Sequence, residues 1–267
     1  RDPSGRNIET IVTESKSGRQ AWQAPVFIDT TGDGDLAALA GCGFDMGSGP
    51  EGFGQPATLN ALAVVRDASQ MQKYISNDPE MWAPGGHGDS YRNFLAEIKR
   101  TGLEPSYYHP TLFKVHDNLL MIMINHEYKV RADDAAAVSA ATVRARSEIL
   151  RIVAALNKLG GVWEGMRVAA TAGQIGIRCG RRIHGLYTIT KEDVAAGRRF
   201  DDAVTESRFG VDIHASDFES NKKETIGRGG IRFRPFQIPL RSLIAKDADN
   251  LFMAGRCISG DFVPHGS

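Results

Sequence analysis

The chain has 267 residues, 42% apolar and 24% charged, with 32 basic and 32 acidic side chains and a formal net charge of zero. That length is enough to bury the core of one large domain or two modest ones, and the charge balance argues against a nucleic-acid binder held by phosphate electrostatics, which needs a basic surplus. Three cysteines, Cys42, Cys179 and Cys257, form no C-x-x-C pair, so a reducing, cytoplasmic compartment is expected, and no apolar run reaches the roughly 18 residues of a membrane span.

In chain order, residues 8–13 and 20–24 are expected as two strands joined by a turn at Gly18. Val26, Phe27 and Ile28 form a short apolar run, the pattern of a strand buried on both faces. Asp35 to Leu39 starts a helix that Gly41 and Gly43 stop. Residues 43–57 are loop-like, 58–65 a strand, and 68–76 and 89–102 helices. In the second helix Tyr91, Phe94, Leu95 and Ile98 share one face and Gly102 is the C-cap. Residues 117–128 begin as a strand. The spacing of Ile149, Ile152, Val153, Leu156 and Leu159 predicts a helix over 133–159, capped by Asp133 or Asp134 and stopped by Gly160 and Gly161. Residues 181–190 read as a strand, followed by a helix start with Thr190 as N-cap and Asp193 completing a capping box. A short strand at 211–214, an edge strand or extended loop at 232–240 with Pro235 and Pro239, and a buried strand at 250–255 close the chain.

Chemistry concentrates at the ends of two strands. Gly32, Gly34 and Ala37 spell G-x-G-x-x-A between a strand and a helix, the context in which backbone N–H groups approach a phosphate. Asp33 and Asp35 inside that turn would repel a pyrophosphate. They suit sugar hydroxyls, because an ionised carboxylate only accepts hydrogen bonds. A plain strand-to-helix connection with Asp33 or Asp35 capping the helix fits the same residues, and so does direct binding of NAD, which the aspartates disfavour. Gly255 stands at a second strand end, where ligands of open α/β sheets bind.

Arg178, Arg181 and Arg182 cluster, and Arg228, Arg232, Arg234 and Arg241 follow; the guanidinium fork suits carboxylates, although most arginines are solvated or ion-paired. His87, His109, His116, His126 and His184 show no metal-ligand spacing, so surface or capping roles are expected for each and no metal is expected. Cys42 is expected as a small buried residue, and Gln55 and Thr58 sit in a loop that can reach a cofactor.

Taken together, FIDTTGDGDLAALAG (27–41), QPATL (55–59), GIRCGRRIHGLYTITKEDV (176–194), VDIH (211–214), IPLRSLIAKDADNLFMAGRCIS (238–259) and HGS (265–267) resemble the FAD-dependent oxidoreductases, flavoproteins with two dinucleotide-binding domains distantly related to fumarate reductase and succinate dehydrogenase. The resemblance covers nearly the whole chain and is weakest over 66–160. It implies an α/β fold with a partial, Rossmann-like FAD-binding sheet and an α+β substrate or cap region. The division expected is 1–57 and 237–267 in the FAD-binding part and 58–236 in the cap. It implies FAD near Gly32, Asp33, Gly34 and Asp35. Gly255 and Arg256 stand where relatives place a Gly-Asp pair on the ribityl chain, Arg256 replacing the Asp, and His265 and Gly266 approach the flavin ring. Fumarate-type reductases hold dicarboxylates with arginine and histidine, so Arg178 or Arg182, with His214, is expected to face a small anionic substrate. The family opens on a strand, G-x-G-x-x-G and helix, and continues with an arginine and a helix where this sequence reaches Ser267. The chain is therefore expected to be a trimmed piece of a longer flavoprotein, one with room for a lost leader. A cofactor-free scaffold or interaction domain is the alternative.

Overall fold

The chain enters through an antiparallel hairpin, β1 (Ile11–Ser15) and β2 (Gly18–Trp22), with Ser15 opposite Gly18. Gly18 adopts φ 83°, the left-handed backbone that a tight turn asks of glycine. Then come β3 (Phe27–Asp29), α1 (Asp35–Leu39), β4 (Phe44–Met46) and β5 (Ala61–Val64). The segment expected as a helix over 68–76 forms a 3-10 turn, Ala68–Tyr74, which Asp67 caps through the Ser69 N–H. The remaining elements are α2 (Gly88–Arg100), β6 (Thr111–His116), β7 (Leu119–Met123), α3 (Ala135–Leu159), β8 (Arg167–Thr171), β9 (Arg181–Ile183), α4 (Lys191–Ala196), β10 (Ala203–Ser207), β11 (Ile213–His214), α5 (Phe218–Lys223), β12 (Ile226–Gly227), β13 (Phe236–Pro239) and β14 (Leu251–Met253). This is an α/β chain built from several small sheets. The computed structural model describes residues 1–49, 51–76, 88–223, 226–227 and 230–267; Pro50, His87 and Arg228 lie outside them.

The largest sheet is antiparallel in the order β6-β7-β5-β8. Leu120 and Ile122 of β7 alternate toward the core, as the two-residue strand period requires. Helices α2 and α3 cover that face. Ile149, Ile152, Val153 and Leu156 of α3 form the buried stripe that their spacing predicts, each contributing roughly 1.5–3 kcal/mol relative to exposure. Asp134 is the cap of α3, its carboxylate accepting from the Ala136 and Ala137 N–H groups at 2.9 and 3.0 Å. Trp163 completes this first core between Tyr74 and Phe94, at ring distances of 4.8 and 5.6 Å.

A second core joins the two ends of the sequence: Ile8, Phe27, Ala37 and Cys42 pack with Ile183, Leu251, Met253 and Cys257. Its frame is the parallel pair of β3 and β14, with Phe27 beside Leu251 and Asp29 beside Met253. A third core gathers Ile189, Val194, Val211 and Phe236 under the β10–β13 pair. The strand expected over 181–190 is confined to β9, because the chain turns away at His184 and pairs only through single bridges at Gly185 and Ile189. Strands β6, β8 and β10 carry no clean alternation in sequence: β8 reads Arg-Val-Ala-Ala-Thr and takes its register from β5. Among the described residues no helix is long and apolar enough to cross a membrane.

Candidate functional site

Because β3 and β14 run parallel and side by side, their carboxyl ends bring Gly32 and Gly255 to one edge. Asp29, fully buried at the last position of β3, organises the turn that follows. Its Oδ1 accepts from the Thr31 N–H at 3.0 Å and the Thr31 hydroxyl at 2.7 Å, and its Oδ2 accepts from the Ala37 N–H at 2.9 Å. Gly32 and Gly34 take φ of 85° and 68°, and Gly34 is the N-cap of α1. Gly255 has φ 89°, and a Cβ there would meet no atom within 4 Å.

The turn carboxylates meet arginines. Arg256 Nη2 donates to Asp33 Oδ1 at 2.8 Å, and Arg181 Nη1 donates to Asp35 Oδ1 at 2.7 Å and to the Asp33 carbonyl at 3.0 Å. A cavity of about 570 Å³ opens beside this turn, walled by Thr31, Asp33 and Asp35 on one side and by Asp133, Ser139 and Gln174 on the other.

The segment 178–182 links this turn to a second cavity. Gly180 packs so closely that a Cβ on it would lie 2.9 Å from Asp33 Cα. Arg178, two residues earlier, lines a cavity of about 300 Å³ together with Gln55, Asp212, His265 and Gly266. Among the described residues no hydrogen bond or ion pair reaches Arg178, and its Nε is buried without a partner. His214 sits behind Asp212, with Nε2 3.6 Å from Asp212 Oδ1, an ion-pair distance beyond hydrogen bonding. The Gln55 side chain holds the strand by accepting from the His214 backbone N–H at 2.9 Å. The His214 imidazole, followed by Arg178, holds the Asp212 carboxyl below its usual range against the opposing effect of burial.

Arg182 stands apart from the cavity wall. It is buried, with Nε donating to the Gly260 carbonyl at 3.0 Å and Nη2 to the Gly47 carbonyl at 3.1 Å, and its guanidinium lies over Phe262. His265, packed against Gly260, is pushed down to about 4 by burial and by the positive charge of Arg182. The Asp212 N–H donates to the Gly266 carbonyl at 2.6 Å, which fixes the rim. Asp33, Asp35 and Arg256 thus meet at one turn beside Gly32, Gly34 and Gly255, while Arg178, His265 and Gly266 line the smaller cavity and His214 lies behind its wall at Asp212.

Sequence reasoning missed an aromatic group behind His214. The His126 ring lies 4.9 Å from that of His214 and 4.0 Å from that of Tyr107, and both His126 ring nitrogens are buried without hydrogen-bond partners. His109 stacks on Tyr91 at 4.0 Å and adjoins Tyr107. Burial, then the nearby His214, pushes His126 far below the ordinary histidine range. No spacing announces this group, because Tyr107, His126 and His214 come from three separate segments. Asp29 was legible only as part of its turn, and Asp212 only through the V-D-I-H string.

A family model described as FAD dependent oxidoreductase matches residues 1–267, and the chain belongs to that family. Membership makes FAD the cofactor and oxidoreduction the class of chemistry. No curated protein and no solved structure matched the chain. The residues present fit the cofactor. Left-handed glycines end both parallel strands, one of them facing open space, and carboxylate acceptors alternate with arginine donors beside a cavity.

Proposed function

We propose that this chain is the cofactor- and substrate-holding part of a flavoenzyme that moves a hydride between FAD and a small, carboxylate-bearing organic substrate. The observation that carries this reading is Arg178, an arginine with a buried, unpartnered Nε on the wall of a cavity shared with His265 and Gly266. FAD, when bound, supplies the two-electron redox chemistry. Gly255, open on its Cβ side, would leave room for its sugar chain, Gly32 and Gly34 would shape the turn beside it, and Asp33, Asp35 and Arg256 would offer it acceptors and donors. His265 and Gly266 would stand on the ring side.

Arg178 receives the substrate carboxylate through its guanidinium fork. His214, coupled to Asp212, handles the proton that accompanies hydride movement. Arg182 braces the loops of Gly47 and Gly260, and it keeps a positive charge beside His265. The division proposed is an FAD-binding part from 1–57 and 237–267, Rossmann-like at β3 and β14, and a cap from 58–236; the parallel β3–β14 pair and the first core, which falls almost wholly within the cap range, support it, while Ile183 of the cap range packs into the second core.

The full-length protein incubated with FAD and passed through a desalting column is expected to keep the visible flavin band. Arg178→Ala is expected to keep that band while losing turnover of carboxylic acids with an artificial electron acceptor. A colourless protein overturns the reading and favours a cofactor-free scaffold. Retained turnover in Arg178→Ala removes that residue from the site.

A further inference from the structure

The smaller cavity holds one positive and one negative side chain that do not pair with each other. Arg178 has a buried Nε with no hydrogen-bond partner, and Asp212 has a buried Oδ1 whose nearest charged neighbour, His214 Nε2, stands at 3.6 Å, beyond hydrogen bonding, and both residues line the same space of about 300 Å³. Among the described residues no ion pair joins them, and the neighbour of Asp212 is His214, at 3.6 Å. Buried polar atoms in folded proteins find partners, and a charged pair left open on a shared cavity is costly unless something else completes both halves. A ligand with one acceptor end and one donor end does so.

We infer that the substrate of this site is a small zwitterionic amino acid, its carboxylate held by Arg178 and its ammonium by Asp212, with His214 packed behind Asp212. The inference rests on the flavoprotein reading of the site and names its substrate class. A dicarboxylate fits the wall worse, because its second carboxylate would face Asp212. A plain monocarboxylate satisfies Arg178 and leaves Asp212 Oδ1 without a hydrogen-bond donor, its neighbour His214 standing at 3.6 Å. An ionised carboxylate only accepts, and the charge-assisted bond from an ammonium is stronger than one from a hydroxyl. The depressed acidity range of Asp212, set by His214 and then Arg178, agrees with a carboxylate that stays ionised and ready to accept.

The test is calorimetric binding to FAD-loaded protein of three compounds that differ only at the second carbon: leucine with an ammonium, 2-hydroxyisocaproate with a hydroxyl and isocaproate with hydrogen. The smaller set of alanine, lactate and propionate is run in parallel. In each set the amino acid is expected to bind at least about tenfold tighter than the unsubstituted acid, the scale of one charge-assisted bond. Asp212→Asn is expected to erase that preference and leave the unsubstituted acid within about twofold of its original affinity; Arg178→Gln weakens all three. Equal or tighter binding of the hydroxy or unsubstituted acid overturns the inference, as does a preference that survives Asp212→Asn. The wild-type comparison stands without any variant. Failure of all six compounds to bind protein that carries the flavin band sinks the amino-acid assignment alone, whereas absence of the band sinks the flavoprotein reading beneath it.

Discussion

Asp29 shows how one side chain can hold a glycine turn. It is fully buried, and its two oxygens take the Thr31 N–H, the Thr31 hydroxyl and the Ala37 N–H. Asp29→Ala leaves two backbone donors without their acceptor, each worth about 1–3 kcal/mol when stranded. The variant is expected to lower the urea midpoint and to weaken FAD retention together. An unchanged midpoint would show that solvent or other groups replace the carboxylate.

Histidine is the other residue-scale lever. Burial is the leading cause that lowers His126, His109 and His265, the last to about 4, with the positive charge of Arg182 adding to it at His265. In the unfolded chain all three return to about 6.5. Between about 4 and 6.5 the unfolded state therefore binds more protons than the folded one, so stability falls as pH falls through that window and is fully present above it. Urea titrations at pH 7 and pH 5 are expected to give the lower midpoint at pH 5, and His126→Gln is expected to shrink the difference. Identical midpoints would remove buried neutral histidine from the account.

At the scale of elements, α3 and α4 were legible because local rules suffice. The apolar stripe and Asp134 cap define α3, and Thr190 with Asp193 forms the capping box of α4, the Asp193 N–H donating to the Thr190 hydroxyl at 3.3 Å. Strands β6, β8 and β10 were not legible, since each takes its identity from the strand it pairs with. The segment 178–182 is the element that couples both cavities, and Gly180 packs closely against both the side chain and the Cα of Asp33. In Gly180→Ala the new Cβ would press on the Asp33 carboxylate and would also lie 2.9 Å from Asp33 Cα, a contact that no rotation of the Asp33 side chain relieves. The turn itself must move. The expected outcome is loss of the flavin band with an unchanged far-UV circular dichroism spectrum; normal flavin retention would mean the turn tolerates that shift.

Across the whole molecule, stability is concentrated in three cores, of which the largest lies under α2, α3 and the four-stranded sheet. Leu156 is fully buried there, whereas Leu39 on α1 is 88% exposed. Leu156→Ala is expected to cost about 2–5 kcal/mol of unfolding free energy, and Leu39→Ala no more than about 0.5 kcal/mol, both read from urea titrations. Comparable losses at the two positions would mean that Leu39 is covered in solution. The second core depends on pairing between β3 and β14, which lie at opposite ends of the sequence. Such non-local pairing closes late and slows folding.

The sequence by itself determined the local grammar: the glycine turn after β3, the spans and caps of α3 and α4, the strand that leads to Gly255, and the family pattern that runs through them. Those features depend on neighbours within a few positions, where residue type and spacing decide backbone geometry. Only the tertiary structure decided that Arg256 and Arg181 meet the turn aspartates, that Arg182 is held by backbone carbonyls, and that Tyr107, His126 and His214 converge behind Asp212. Such contacts join residues far apart along the chain, and the burial that partners or orphans a polar atom exists only once the separate cores have packed.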